Sequence, residues 1–240
     1  PLLRLALLSR NLTTDASWDL SLSLDGRVGA LGDERNDPLV RLLRALPGMA
    51  SGRPAPDRAL AMASSLADDL AKAEWDLPDH FRKISFAVNG LGGDVWRPFI
   101  GRTVGIISPF VTDSALAMLS RSVAPENALL FGRSEELALL KPETLAHFGT
   151  VKVLDEMAES GDGEDGDEAE HARVPARGLH AKAILTERWS STEITIGSGN
   201  ATSAALIGGE NIEVFATMSG YTSDIGSVED QMSPERLGRY

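Results

Sequence analysis

Two stretches of this chain, one near its start and one near its end, repeat one another in order and kind. Residues 5–26 read LALLSRNLTTDASWDLSLSLDG, and residues 194–220 read ITIGSGNATSAALIGGENIEVFATMSG. Each has an apolar strand, a Ser-x-Asn turn, a helix start containing Thr or Ser, and a second strand ending at Gly. Ser9 and Asn11 thereby correspond to Ser198 and Asn200. A separation of about 190 residues is too long for a solenoid repeat. It suggests a duplicated domain whose halves each bring an asparagine to one place. The competing reading is a chance match of two short polar turns.

The rest of the pattern fits strands alternating with helices. Leu2–Ser9 is an almost continuous apolar run, and Leu20, Leu22 and Leu24 alternate with polar residues up to a turn at Asp25-Gly26. Helices are expected over Pro38–Leu46, opened by a proline suited to a first turn, and over Pro56–Glu74, rich in Ala, Leu and Met. Strands follow at Ile84–Val88, Val104–Ile107, Ala128–Phe131 and Val151–Leu154. Helices are placed at Asp113–Ser120, with Asp113 as cap, and at Ser134–Leu140. His180–Thr186, Glu193–Gly197 and Ile212–Thr217 are further strands, with a short helix at Ser203–Ile207. Such alternation implies an α/β fold with a largely buried sheet.

There is no cysteine, which removes thiolate chemistry, disulfides and cysteine zinc sites and fits a reducing, cytoplasmic setting. His80, His147 and His171 lack metal-ligand spacing, so neither metal nor cofactor is expected. Gly90-Leu91-Gly92-Gly93 has Val95 where a dinucleotide fingerprint needs its last glycine. Apolar runs stop well short of the ~20 residues that span a bilayer. Because the chain opens at Pro1 directly into a strand-like run, a fragment or excised domain is expected. The net charge of −12 is mostly local, since residues 155–170 carry nine acidic side chains and no basic one. Interleaved with Gly161, Gly163 and Gly166, this stretch reads as a solvated loop. The overall charge therefore says little about the ligand.

The chemistry-bearing segment is Gly178-Leu179-His180-Ala181-Lys182-Ala183-Ile184-Leu185-Thr186-Glu187. In a strand His180 and Lys182 share a face, roughly 7 Å apart, while Ala181, Ala183 and Leu185 face the other way. Burying a lysine without a partner is costly, and an anionic ligand removes the cost. Gly197-Ser198-Gly199-Asn200 ends the next strand, its glycines suited to close backbone approach and its Ser198 and Asn200 to hydrogen bonding phosphoryl oxygens. Both polar residues equally suit a plain turn.

His180-x-Lys182, four residues, Glu187 and then Gly197-Ser198-x-Asn200 resembles the HxKx₄D…GSxN motif of the phospholipase D superfamily. Ser9-Arg10-Asn11-Leu12-Thr13 resembles the tail of that family's first motif copy, and Ile107-Ser108-Pro109-Phe110 the loop opening the second half. The resemblance implies mixed β-sheets flanked by helices in two pseudo-symmetric halves. Residues 1–100 would be the end of the first half and 101–240 the second, with the acidic loop 155–170 inside it. Two departures stand out. Glu187 replaces the usual Asp, and reads as support for the fold rather than the chemistry. No first HxK is present, so a preceding segment or a second chain is expected to complete the site.

The resemblance further implies a metal-free, two-step phosphodiester hydrolysis through a phosphohistidine, in which either His180 or its missing counterpart is the nucleophile. Lys182, Asn200, Asn11 and Ser198 would stabilise phosphoryl charge, with Ser9 in support. A nucleic-acid phosphodiester is the expected substrate, and Arg10, Arg97, Arg102, Arg133 and Arg177 are candidates for backbone contacts. Trp18, Trp75, Trp96 and Trp189 read most simply as packing residues, whereas an exposed Trp96 or Trp189 would stack on a base. The alternatives are a phospholipase or phosphatidyl transferase, and a non-catalytic nucleic-acid-binding module.

Overall fold

The computed structural model describes residues 1–9, 17–51, 54–154, 178–233 and 236. Asn11, Arg10, Arg177, His171 and the acidic stretch 155–170 lie outside these described residues. The architecture is mixed α/β, with two sheets flanked by helices. Strands β1 (Leu2–Leu8), β2 (Ser21–Val28) and β3 (Ala73–Trp75) form an antiparallel sheet in that order. The seven-stranded sheet has the order β4-β10-β9-β8-β5-β6-β7. Its strands are β4 (Phe81–Asn89), β5 (Thr103–Ile107), β6 (Ala128–Gly132), β7 (Thr150–Val153), β8 (Ala183–Arg188), β9 (Ser191–Gly197) and β10 (Glu213–Tyr221). β5, β6 and β7 are parallel; every other neighbour pair is antiparallel.

Period-two alternation sorts the large sheet's side chains into two cores. Ile84 and Phe86 of β4, Leu129 and Phe131 of β6, and Ala183 and Leu185 of β8 face the small sheet. There they meet Leu22 and Leu24 of β2, with Leu39 and Val40 of α1 (Asp37–Ala45) and Ala67 and Leu70 of α2 (Asp57–Leu70). On the opposite face Val104, Ile106, Leu130 and Ile184 pack against Leu116 and Leu119 of α3 (Asp113–Ser120). Among the described residues no helix is long and apolar enough to cross a membrane.

Local signals misplace several boundaries, each for a tertiary reason. β2 runs through Asp25-Gly26 instead of turning there: Gly26 pairs with Leu3 on one side and Trp75 on the other. A Cβ at Gly26 would stand 2.8 Å from the Glu74 carbonyl oxygen, so this glycine serves close strand approach. α2 ends at Leu70, short of Glu74, because Ala73–Trp75 is taken up as β3, with Ala73 fully buried. The buried Asn36 holds that strand, donating to the Ala73 carbonyl at 2.9 Å and accepting from the Trp75 indole at 2.8 Å. At α3 the cap is Thr112, accepting from the Ala115 amide. Asp113 accepts instead from the Lys141 amide and the Thr144 hydroxyl, which hold its carboxyl below the usual range.

Candidate active site

One end of the large sheet gathers Lys182, Ser198 and Asn200 of the residues singled out above, with His180 just ahead of Lys182 and Ser9 beside it. Ile107 pairs with Ala183, Ala183 with Ile196, and Gly197 with Phe215. The end of β5, the start of β8, the end of β9 and the start of β10 therefore share an edge. This places Ser108, Lys182, Ser198 and Glu213 side by side.

β8 begins at Ala183 rather than His180, so His180 and Lys182 precede the regular ladder. β5 has already turned away into Ser108-Pro109, and the N-terminal passage takes its place as partner. Leu179 bridges to Trp18, the Trp18 amide donates to the Gly178 carbonyl, and the Trp18 carbonyl accepts from His180 and Ala181 at 2.8 and 2.7 Å. The expected alternation nevertheless persists: Leu179, Ala181, Ala183 and Leu185 all lie in the inter-sheet core.

Lys182 is only 6% exposed. Its ammonium donates to the Ser9 carbonyl at 2.6 Å and to the His180 carbonyl at 2.9 Å. Burial pushes its pKa down, opposed by the carboxylates of Asp19 and Glu213 and reinforced by the Arg133 guanidinium. Arg133 is held at the site by donation to the Leu179 carbonyl at 3.0 Å and lies over the Phe110 ring.

Ser198 and Ser9 occupy matching hydrogen-bonded rings. The Ser198 amide donates to the Val214 carbonyl, the Val214 amide donates back to Ser198 Oγ, both at 3.0 Å, and Oγ donates to the Glu213 carboxylate. The Ser9 amide likewise donates to the Leu20 carbonyl at 2.9 Å. The Leu20 amide donates back to Ser9 Oγ at 3.0 Å, and Oγ reaches Asp19 Oδ1 at 3.5 Å. The same ring of serine, acid and aliphatic residue thus occurs twice, and Lys182 feels the carboxylates of both. Reasoning from sequence missed Asp19 and Glu213. The signal was present: in each repeated passage an acid stands directly before the aliphatic residue that opens the returning strand.

The Asn200 side-chain oxygen is buried and has no hydrogen-bond partner among the described residues. A buried amide oxygen of this kind is an open acceptor position beside Ser198. The loop carrying it is pinned from β5's side, where Ser108 Oγ accepts from the Ala201 amide and Thr112 Oγ1 accepts from the Ser203 amide. The flanking glycines serve packing. A Cβ on Gly197 would stand 2.2 Å from the Val214 carbonyl oxygen, and one on Gly199 2.4 Å from the Phe215 ring.

Glu187 lies at the opposite end of β8, ~16 Å of strand from Lys182. There it accepts from the Val228 amide at 2.7 Å and pairs with Arg102 at 3.6 Å. Of the other candidate arginines, Arg97 donates to the Leu206 carbonyl at the far side of the pinned loop. Among the described residues, no group of three or more His, Cys, Asp or Glu side chains is arranged to hold a metal. Comparison with protein-family models and with curated proteins found no match to this chain.

Proposed function

We propose that this chain carries one half of a phospholipase D-like phosphodiesterase site that cleaves nucleic acid without a metal. The observation that carries this reading is the doubled serine–acid ring, with a buried lysine and an adjacent histidine between its two copies. Convergence of two like elements on one buried ammonium suits a ligand with negative charge and rough two-fold symmetry, as a phosphodiester has. The depressed lysine pKa supports the same reading, since a phosphoryl group supplies the anion that burial withholds.

In this scheme one imidazole attacks phosphorus while the other, protonated, gives its proton to the departing alkoxide as the P–O bond breaks. The second imidazole then deprotonates water, which attacks phosphorus and breaks the P–N bond. His180 fills one of these roles; a histidine from a preceding segment or a second chain fills the other. Lys182 and the side-chain N–H of Asn200 donate to charge developing on the non-bridging oxygens. Ser198 and Glu213 hold the start of β10 and the Asn200 loop in place.

The test is turnover by the full-length protein of single-stranded DNA, duplex DNA and phosphatidylcholine, all in EDTA. Expected are cleavage of DNA, a base-stable and acid-labile phosphoprotein on rapid quench, and loss of both in His180→Ala with the circular dichroism spectrum unchanged. Turnover of lipid alone, or DNA cleavage only after metal is added, overturns the proposal. A second reading, a non-catalytic nucleic-acid-binding module, draws on the single His-x-Lys in the chain. It predicts DNA binding without turnover.

A further inference from the structure

At the end of the large sheet away from Lys182, the face that elsewhere packs on α3 is open. Register sets out its surface row by row. Ser85 lies beside Thr217, whose hydroxyl bonds that of the buried Thr195; Lys83 lies beside Ser219 and Glu193, and Tyr221 beside Ser191 and Arg188. The Arg82 guanidinium stacks 4.1 Å from the Tyr221 ring, and that of Arg188 stacks 4.6 Å from the Phe99 ring. Tyr221 is 43% exposed and Phe99 49%. Trp189, at the tip of the β8–β9 hairpin, is 87% exposed and has a φ of 56°, a conformation for which glycine or asparagine is the better residue. Trp96 offers no such ring, being packed at 4.8 Å on Phe215.

Within a chain of net charge −12, the paired strands of this face carry Arg82, Lys83 and Arg188 with Glu193, and hydroxyls between them. Rings interleaved with guanidinium groups and an ammonium match a polyanion that also presents flat π faces. In a duplex those faces are covered by neighbouring bases; in a single strand they are open to stacking. We propose that this face binds single-stranded nucleic acid, with bases on Trp189, Tyr221 and Phe99 and phosphates at Arg82, Lys83 and Arg188. The inference rests on the reading of the substrate as nucleic acid and adds its strand state. It assigns the strand a path on the protein beginning ~23 Å along β9 from Ser198.

A fluorescein-labelled oligothymidylate of twelve nucleotides, titrated with the protein in EDTA and followed by anisotropy, tests this. Expected is saturable binding that weakens with salt, and weaker binding of the corresponding duplex. Trp189→Gly should lower affinity by roughly ten-fold, the scale of one missing stacking partner. It should leave the melting temperature unchanged or raised, since glycine suits the hairpin better. Arg188→Glu and Arg82→Glu should each flatten the salt dependence, by about 0.7 in log–log slope for each phosphate no longer neutralised. The inference is overturned if the oligonucleotide does not bind, if the variants bind as the parent does, or if duplex is preferred. It is also overturned if these substitutions dissolve a self-associated species in sedimentation and leave oligonucleotide binding untouched. His180→Ala separates the two proposals: it should abolish cleavage and keep full oligonucleotide affinity. Trp189→Gly should raise KM for single strands with kcat preserved.

Discussion

The ring around Ser198 and the ring around Ser9 use the same bonds in different surroundings. At Ser198 the strand that ends in the serine, β9, has neighbours on both sides: β10 completes the ring, and β8 is preceded by His180 and Lys182. At Ser9 the corresponding strand, β1, has β2 as its one strand partner among the described residues. Glu213 is buried at 9% exposure while Asp19 is exposed. One half is thus enclosed and supplies the ionisable groups; the other supplies a carbonyl and a carboxylate to the same ammonium. The repeated element places a serine and an acid, and under the proposed function the reactive pair comes from the segment beside it.

Four probes, made with six substitutions, test that contrast. His180→Ala has the largest expected effect, a loss of about 10³-fold in kcat with the fold retained, measured on the full-length protein. A comparable rate in the variant would leave the two rings with no reactive centre between them. Next, Glu213→Ala leaves the half-buried Ser198 hydroxyl without its acceptor and should cost about 1–2 kcal/mol in urea denaturation. Asp19→Ala, at the surface, should cost clearly less. Equal losses would mean that the two rings are equally enclosed.

The third probe is pH. Lys182 has a folded pKa below its ordinary value, so between the two the unfolded chain binds more protons than the folded one. Its contribution to stability is therefore complete above the unfolded pKa and is lost as pH falls through the folded one. Relative to Lys182→Met, the parent protein should gain stability as pH rises towards 10.5. A flat difference would remove the burial cost assigned to this lysine. Smallest of all, Ser9→Ala and Ser198→Ala should each cost about 1 kcal/mol. The difference between them, read by thermal melting, reports how much the second flanking strand tightens the ring.

Much of this was legible in the residues. The order of strands and helices followed from hydrophobic periodicity, and the repeated passages each supply a carboxylate, Asp19 and Glu213, that acts on the Lys182 ammonium. What was not legible depended on neighbours distant in sequence. Nothing local in Ala73–Trp75 marks it as strand; β2 and Asn36 make it one. Gly197 and Gly199 read as ligand-approach glycines, yet Val214 and Phe215 come from a strand more than a dozen residues on. Asp113 has the composition of a helix cap but is claimed by Lys141 and Thr144. Trp189 and Trp96 cannot be ranked from sequence, because exposure is a property of the packed molecule.

The side of β1 that no described strand shares has a practical corollary. A seven-residue run of leucine and alanine interrupted by one arginine, with Leu2 90% exposed, offers its amides and carbonyls to any passing peptide. Concentrated samples should thicken into oligomers by borrowing strands from one another. A lysine in place of the outward-facing Ala6 is the natural gatekeeper against such sticking.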